Sequence, residues 1–334
     1  NTLATANEIQ EAFVQPVSVG GSITKISASM GIYANAAPGS GVADVFRRSD
    51  IAMYEAKKAG GERISCFEPT MEAEVQQRYK MEADMREGIP KGEFVPFYQP
   101  QYGIRGSNLV GFEVLARWNH PGGELMEPTE FIPLAEATGM ISALSFSVMR
   151  QAFVDAKQWD HSLVLAVNIS PVQLSDPNLD KQIMKILAET GFPAQRLELE
   201  ITESSLLEDT PLVLSTITSL KALGSFVFSM LDNDESAAIV KSIASLATSL
   251  NVPITAEGIE SDEMRGYLDE IGSMDGQGWL YGRATSKEDL IKLLPQIALA
   301  AGGYDIDDLK IVGEAHATDD DPDGEQQVPK RASL

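Results

Sequence analysis

From Glu93 onward the chain alternates short apolar runs with amphipathic stretches, and this alternation limits the available folds more than any other feature. Six runs read as strands: FVPFYQP (94–100), LVGFEVLARW (109–118), LVLAVNIS (163–170), LELEIT (197–202), VPITAEG (252–258) and QGWLYG (277–282). Between them, PTEFIPLAEATG (128–139), SALSFSVMRQAFVDAKQW (142–159), SDPNLDKQIMKILAETG (175–191) and DESAAIVKSIASLATSL (234–250) space their apolar residues as helices do. Apolar strands separated by helices predict a mainly parallel α/β sheet covered on both faces. Closing eight such units gives a TIM-like (β/α)8 barrel of roughly 250 residues. Six strands fall short of that number.

The residue at each strand's end bears on chemistry. Glu113 follows LVGF, Asn168 follows LVLAV, Glu200 follows LEL and Glu257 follows VPITA. Sites in parallel α/β folds lie at the carboxyl ends of the strands, so these oxygen donors are expected on one rim. One such residue alone reads as a strand-end cap or ion pair; four in register read as a site. Crowded carboxylates repel unless cations or shared protons intervene. Oxygen donors without His favour Mg²⁺ or Mn²⁺ over zinc. The lone Cys66 excludes an internal disulfide and a Cys-based zinc site, and His120, His161 and His316 are scattered.

Charge narrows the partners. Lys and Arg number 26 against 49 Asp and Glu, a net charge of −23. A chain this acidic is no general binder of DNA, RNA or anionic membrane, and it meets a phosphate ligand only through cations or a few placed basic groups. No apolar run is long enough to span a bilayer and no signal-peptide pattern opens the chain. The expectation is a soluble cytoplasmic chain, with any tether to the inner membrane supplied by upstream segments.

The chain divides into four regions. Residues 93–302 form the expected barrel, and 303–334 an acidic tail expected to be disordered. Residues 68–92 read as a charged linker helix. Residues 1–67 offer a helix (3–13), a strand-like stretch (21–34) and a second helix (42–60) stopped by Gly60-Gly61. In that helix Val42, Phe46, Ile51 and Tyr54 fall near one face. This is too little for a core of its own, and it reads as the C-terminal half of a larger α/β domain.

The stretch VGFEVLARWNHPGGELMEPTEFIPLAEATGMI (110–141) resembles the opening of EAL-domain cyclic-di-GMP phosphodiesterases, with Glu113-Val114-Leu115 in place of Glu-Ala-Leu. YQP (98–100), VNISPVQL (167–174), LELEITES (197–204), AEGIE (256–260) and QGWLYGR (277–283) resemble the family's further motifs, in order. The resemblance runs over roughly residues 72–296 and implies a TIM-like barrel. It also implies two Mg²⁺ or Mn²⁺ ions and hydrolysis of cyclic-di-GMP to linear pGpG. It makes Glu113, Asn168, Glu200 and Glu257 metal ligands, with Glu257 also at the nucleophilic water. Gln277 matches an active-site residue, and Glu203 matches the residue that holds the loop after the fifth strand. Gln99 and Arg117 match residues lining the dinucleotide site, Arg117 against a phosphate oxygen, and Pro128 and Glu136 match helical positions flanking it. A homodimer through the barrel helices is implied as well. The rival reading is a receptor that binds cyclic-di-GMP without cleaving it.

Earlier in the chain, ISASMGIY (26–33) and RRSDIAMYEAKKAGG (47–61) resemble the C-terminal half of GGDEF domains. Lys57 matches the family's phosphate-contacting Lys, but Gly61 stands where an Arg is expected. Cyclase activity is unsupported, and a regulatory or structural role is expected instead.

One departure from the EAL pattern outweighs the rest. After LKALG (220–224) the family continues with a strand carrying DDFGTGYSSL, a helix, and a strand carrying Lys-Ile-Asp. This chain passes directly to SFVFSMLDNDESAAIV (225–240), which resembles the family's sequence beyond those elements. The difference is about 30 residues by barrel arithmetic. It removes the paired aspartates that complete a two-metal site, and a Lys. Either the natural protein carries a segment that this sequence omits, or the chain lacks it and cannot hydrolyse. Taking two interior strands from a closed barrel exposes edges and opens the core, which favours omission.

Overall fold

The computed structural model describes residues 2–14, 17–19, 22–34, 41–105, 108–157, 159–202, 216, 220, 225–231, 253–272 and 274–292. The expected helix at 234–250 and the acidic tail at 303–334 lie outside these. The chain falls into two compact units, Asn1–Met85 and Arg86–Leu334. No helix of the described residues is long and apolar enough to cross a membrane.

The first unit opens with helix α1 (Thr2–Val14) and a short antiparallel pair, β1 (Val17–Val19) and β2 (Ser22–Thr24). Strand β3 (Met30–Ile32), helix α2 (Val42–Lys58) and strand β4 (Ile64–Cys66) come next, and β3 and β4 pair in parallel. α2 lies so close on β3 that a Cβ on Gly31 would stand 2.0 Å from the Ser49 carbonyl oxygen. Only glycine fits there. The buried residues of α2 are Ile51, Ala52 and Ala56. Val42 and Phe46, expected beside Ile51, are instead 73% and 67% exposed. Two small alanines let the helix approach the sheet along a different line. Helix α3 (Pro69–Lys91) occupies the expected linker, and the boundary between units falls within it.

The second unit begins with a long antiparallel pair, β5 (Phe94–Gly103) and β6 (Leu109–Asn119), with a short β7 (Leu125–Met126) added to the end of β6. Helices α4 (Pro128–Ala137) and α5 (Ile141–Ala156) lead to β8 (Val164–Asn168). Then come the short α6 (Pro171–Leu174), α7 (Leu179–Thr190) and β9 (Leu197–Thr202). α7 buries Leu179, Ile183, Ile186 and Leu187, the stripe its spacing predicts, and stops at left-handed Gly191. Strands β10 (Ser225–Leu231) and β11 (Ile254–Glu257), helix α8 (Asp262–Ile271) and strand β12 (Asp275–Gly276) complete the described elements.

Pairing runs β5-β12-β11-β10-β9-β8-β6, and β6 pairs back onto β5. The wall therefore closes as a ring of seven strands. β6 and β8 to β12 run parallel, and β5 lies antiparallel to both neighbours. The TIM-like expectation holds, with two differences. SFVFSML, expected to follow two absent wall strands, is itself a wall strand: Val227 pairs with Glu200 and Leu231 with Glu257. With β10 in the wall, the chain as it stands leaves no open edge between β9 and β11. QGWLYG is not a strand. β12 ends at Gly276, and a Cβ on Gly278 would meet the Ile259 carbonyl oxygen at 2.1 Å, so the backbone turns there against the loop after β11.

LELEIT explains what lies inside the ring. Leu197, Leu199 and Ile201 are fully buried on one face of β9. Glu198 and Glu200 alternate onto the other face. Glu113, Ala166 and Glu198 are register partners across β6, β8 and β9. Glu200 bonds to Gln101 on β5, which is not a neighbouring strand, so this face is the ring's interior.

Candidate active site

Asn168 and Glu257 end β8 and β11, and Glu200 lies two residues before the end of β9. Glu113, expected at a strand end, instead lies within β6, which runs on to Asn119 as the antiparallel partner of β5. Asn168 and Glu200 are direct partners on β8 and β9. Glu113 lies two residues further back, opposite Ala166. Glu113 and Glu200 are buried, at 4% and 1% exposure. Glu257 ends β11, half-buried, and Gln277 comes directly after β12.

Amides link the carboxylates. Asn168 Nδ2 donates to Glu113 Oε1, and Gln277 Nε2 donates to Glu113 Oε2 at 2.7 Å. Gln101 Nε2 donates both to Glu200 Oε1 at 2.9 Å and to Gln277 Oε1 at 3.1 Å. Glu200 Oε2 is buried and accepts no hydrogen bond among the described residues. Burial pushes the Glu113 carboxyl above the usual range, although the Asn168 and Gln277 hydrogen bonds and the Arg117 charge pull it down. The Glu200 carboxyl is pushed well up, first by burial and then by repulsion from Glu113 and Glu257. Two residues before Glu200 on β9, burial and then Asp275 push Glu198 up to about 7. The interior is thus acidic and short of positive charge, an environment that a cation relieves.

The other expected site residues have partners of their own. Gln99 is the register partner of Glu113 and donates to the Gly282 carbonyl at 3.2 Å. Arg117 pairs with Glu127 at 2.9 Å and lies over the Phe97 ring. Burial lowers its pKa, against the raising effect of Glu127 and Glu113. Pro128 opens α4 within a capping box formed by Glu127 and Glu130. Glu136 on α4 accepts from the Ser170 hydroxyl, which also caps α6. Glu203 lies outside the described residues. Sequence reasoning missed Gln101, although its spacing of two from Gln99 in an otherwise apolar strand places both on the polar parity.

Among the described residues, no three His, Cys, Asp or Glu side chains already stand close enough to grip one ion. The donor set still suits a hard divalent cation. It offers carboxylate and amide oxygens from separate strands, and one buried carboxylate oxygen has no partner. Carboxylate and amide donors meeting inside a closed, mainly parallel wall define an α/β barrel protein with an acidic interior site.

Comparison with known proteins gives the family. The EAL domain model matches residues 82–228 and 212–284, and the diguanylate cyclase GGDEF domain model matches residues 1–63. The chain belongs to the EAL-domain family, with a GGDEF-type segment before the barrel. An uncharacterized signaling protein of Caulobacter vibrioides is 32% identical over 308 residues, covering 83% of this chain and 38% of that protein. The bifunctional diguanylate cyclase/cyclic di-GMP phosphodiesterase MucR of Pseudomonas aeruginosa is 28% identical over 320 residues, covering 86% and 47%. The solved structure of the MucR phosphodiesterase in complex with c-di-GMP superposes with a TM-score of 0.58 at 27% identity, over 63% of this chain and 99% of that one. The chain thus spans less than half the length of these two curated relatives. Since 83% of 334 residues is about 277, about 30 of the 308 aligned positions face no residue of this chain. The two EAL matches overlap at 212–228, around the junction of Gly224 and Ser225.

Proposed function

We propose that the barrel hydrolyses cyclic-di-GMP to linear pGpG with two Mg²⁺ or Mn²⁺ ions held by Glu113, Asn168, Glu200 and Glu257. The observation that supports this most is the buried meeting of Glu113 on β6, Glu200 on β9 and Gln277 just after β12, with Glu200 Oε2 left unpartnered among the described residues. When bound, the ions supply an activated water and charge for the leaving oxygen. The chain's own residues do the rest. Gln277 and Asn168 hold the two oxygens of Glu113. Glu257, half-buried at the end of β11, receives the proton of the attacking water, and Glu203 holds the loop after β9. Arg117 exchanges Glu127 for a phosphate oxygen of the substrate, and Gln99 lines the same rim. Pro128 and Glu136 flank the substrate from α4. Two barrels pair through their helices as a homodimer, which sedimentation measures.

A second reading, binding without cleavage, has an observation of its own. β10 stands in the wall between β9 and β11, and its sequence SFVFSML contains no ionisable residue. β10 itself therefore brings no carboxylate to the wall. One experiment separates the readings: the purified chain is incubated with Mg²⁺ or Mn²⁺ and cyclic-di-GMP, while binding is followed by calorimetry. Formation of pGpG, inhibited by Ca²⁺, supports the enzyme. Saturable binding with no product over hours supports the receptor. The absence of both overturns the site.

A further inference from the structure

We infer that Gln101 is the positioning residue of this site, fixing which oxygen of Glu200 and which end of Gln277 face the cations. The inference rests on the metal-dependent reading above. Gln101 is buried, at 1% exposure, on the one strand of the ring that runs against the others. Because β5 is antiparallel, Gln101 lies deeper in the ring than Gln99 and sits beneath the carboxylates. A break in register between Gln101 and Tyr102 marks the spot.

The argument turns on donors and acceptors. A side-chain amide nitrogen has two hydrogens, and Gln101 uses both, one on Glu200 Oε1 and one on Gln277 Oε1. With its oxygen engaged by Gln101, Gln277 can only present its NH₂ to Glu113 Oε2. Turned the other way, its oxygen would face a carboxylate and its NH₂ would face another NH₂. With Glu200 and Glu113 ionised, as metal ligands are, the row Glu200–Gln101–Gln277–Glu113–Asn168 therefore has one self-consistent orientation. It holds Oε1 of Glu200 and leaves Oε2 as the coordinating atom. Groups behind metal ligands that fix their orientation typically change metal affinity 10–100-fold when removed.

The test measures Mn²⁺ binding to the full chain from loss of the free-ion paramagnetic resonance signal, without substrate. Wild type binds, and Gln101→Met, of similar length with no donor, binds about 10–100-fold more weakly. Phe153→Leu, a core change in α5 away from the interior, lowers stability and leaves Mn²⁺ affinity within about twofold of wild type. Equal affinity in wild type and Gln101→Met overturns the inference, as does an equal loss in Phe153→Leu. Should Gln101→Met not fold, Gln101→Asn keeps the amide but withdraws it by one methylene from both acceptors. It is expected to weaken binding as well, and wild-type affinity there is the overturning result. A wild-type chain that binds no Mn²⁺ is a different failure, since it removes the metal reading itself.

Discussion

The Gln277 amide donates to Glu113 Oε2 at 2.7 Å across 164 residues of chain. That bond ties the first wall strand of the parallel set to the segment after the last, so the acidic interior depends on closure of the whole ring. Glu113→Ala removes a proposed ligand and the partner of two amides. It is expected to lower pGpG formation by at least about 100-fold, more than loss of an orienting neighbour costs. Normal turnover by this variant would show that the reaction happens elsewhere.

Arg117 lies over Phe97 and faces Glu127, whose carboxylate is largely exposed. A hydrogen bond to a charged group contributes about 1.5–3 kcal/mol, or roughly 10–100-fold in binding. Arg117→Ala should weaken cyclic-di-GMP binding by that factor, whereas Glu127→Ala, which frees the guanidinium and also removes the cap of α4, should lower stability and leave binding within about threefold. Calorimetric titration of both variants checks the pair.

Glu198 supplies a pH dependence of stability. Its folded pKa of about 7 lies above the ordinary 4.5, because burial and then Asp275 disfavour the carboxylate. The folded state therefore holds the proton more tightly than the unfolded chain. This contribution is fully present below 4.5 and is lost as pH rises through 7, on the order of 3 kcal/mol at most. Glu198→Gln should match wild type in thermal midpoint at pH 5 and exceed it at pH 8.5. A constant difference between the two proteins across that range would rule out the burial argument.

Outside the ring, Tyr98 donates to Asp155 at 2.7 Å, and Lys287 pairs with the same carboxylate at 2.6 Å. This cluster joins β5, α5 and the segment after β12. Tyr98→Phe removes one donor from a partly buried charge and should cost about 1–3 kcal/mol in urea unfolding, without changing cyclic-di-GMP affinity.

The junction of Gly224 and Ser225 gives a gain-of-function test. Inserting there the corresponding segment of about 30 residues from MucR should displace β10 from its pairing with β9 and supply the carboxylates that SFVFSML lacks. Hydrolysis should rise by about 100-fold or more if those acids complete the ion site. Unchanged turnover would mean that the four donors already present suffice.

Much of this could be read before any coordinates. The 3.6-residue stripe of α7 and the strand ends at Asn168 and Glu257 come from local spacing, which the chain must satisfy wherever it folds. Glu113, Asn168, Glu200 and Glu257 were legible because oxygen donors follow apolar runs, whereas Gln277 came only from the resemblance to the EAL family. The exposed Val42 and Phe46 were misjudged, since periodicity marks a face but does not say which part of it meets a sheet. QGWLYG looked like a strand because its composition is apolar, and only the contact of Gly278 with Ile259 shows the turn.

By itself the sequence determined which residue types stand where along each strand and helix, and so the acidic lining and its need for positive charge. The tertiary structure decided three things that local spacing does not encode. It recruited Ser225–Leu231 into the wall, because free backbone edges are satisfied by whichever strand can reach them. It put Gln101 beneath the carboxylates, because a strand running against its neighbours reverses which residue lies deeper. It also set Glu113, Glu200 and Gln277 within reach of one another, because closing a ring brings together side chains that the chain holds far apart.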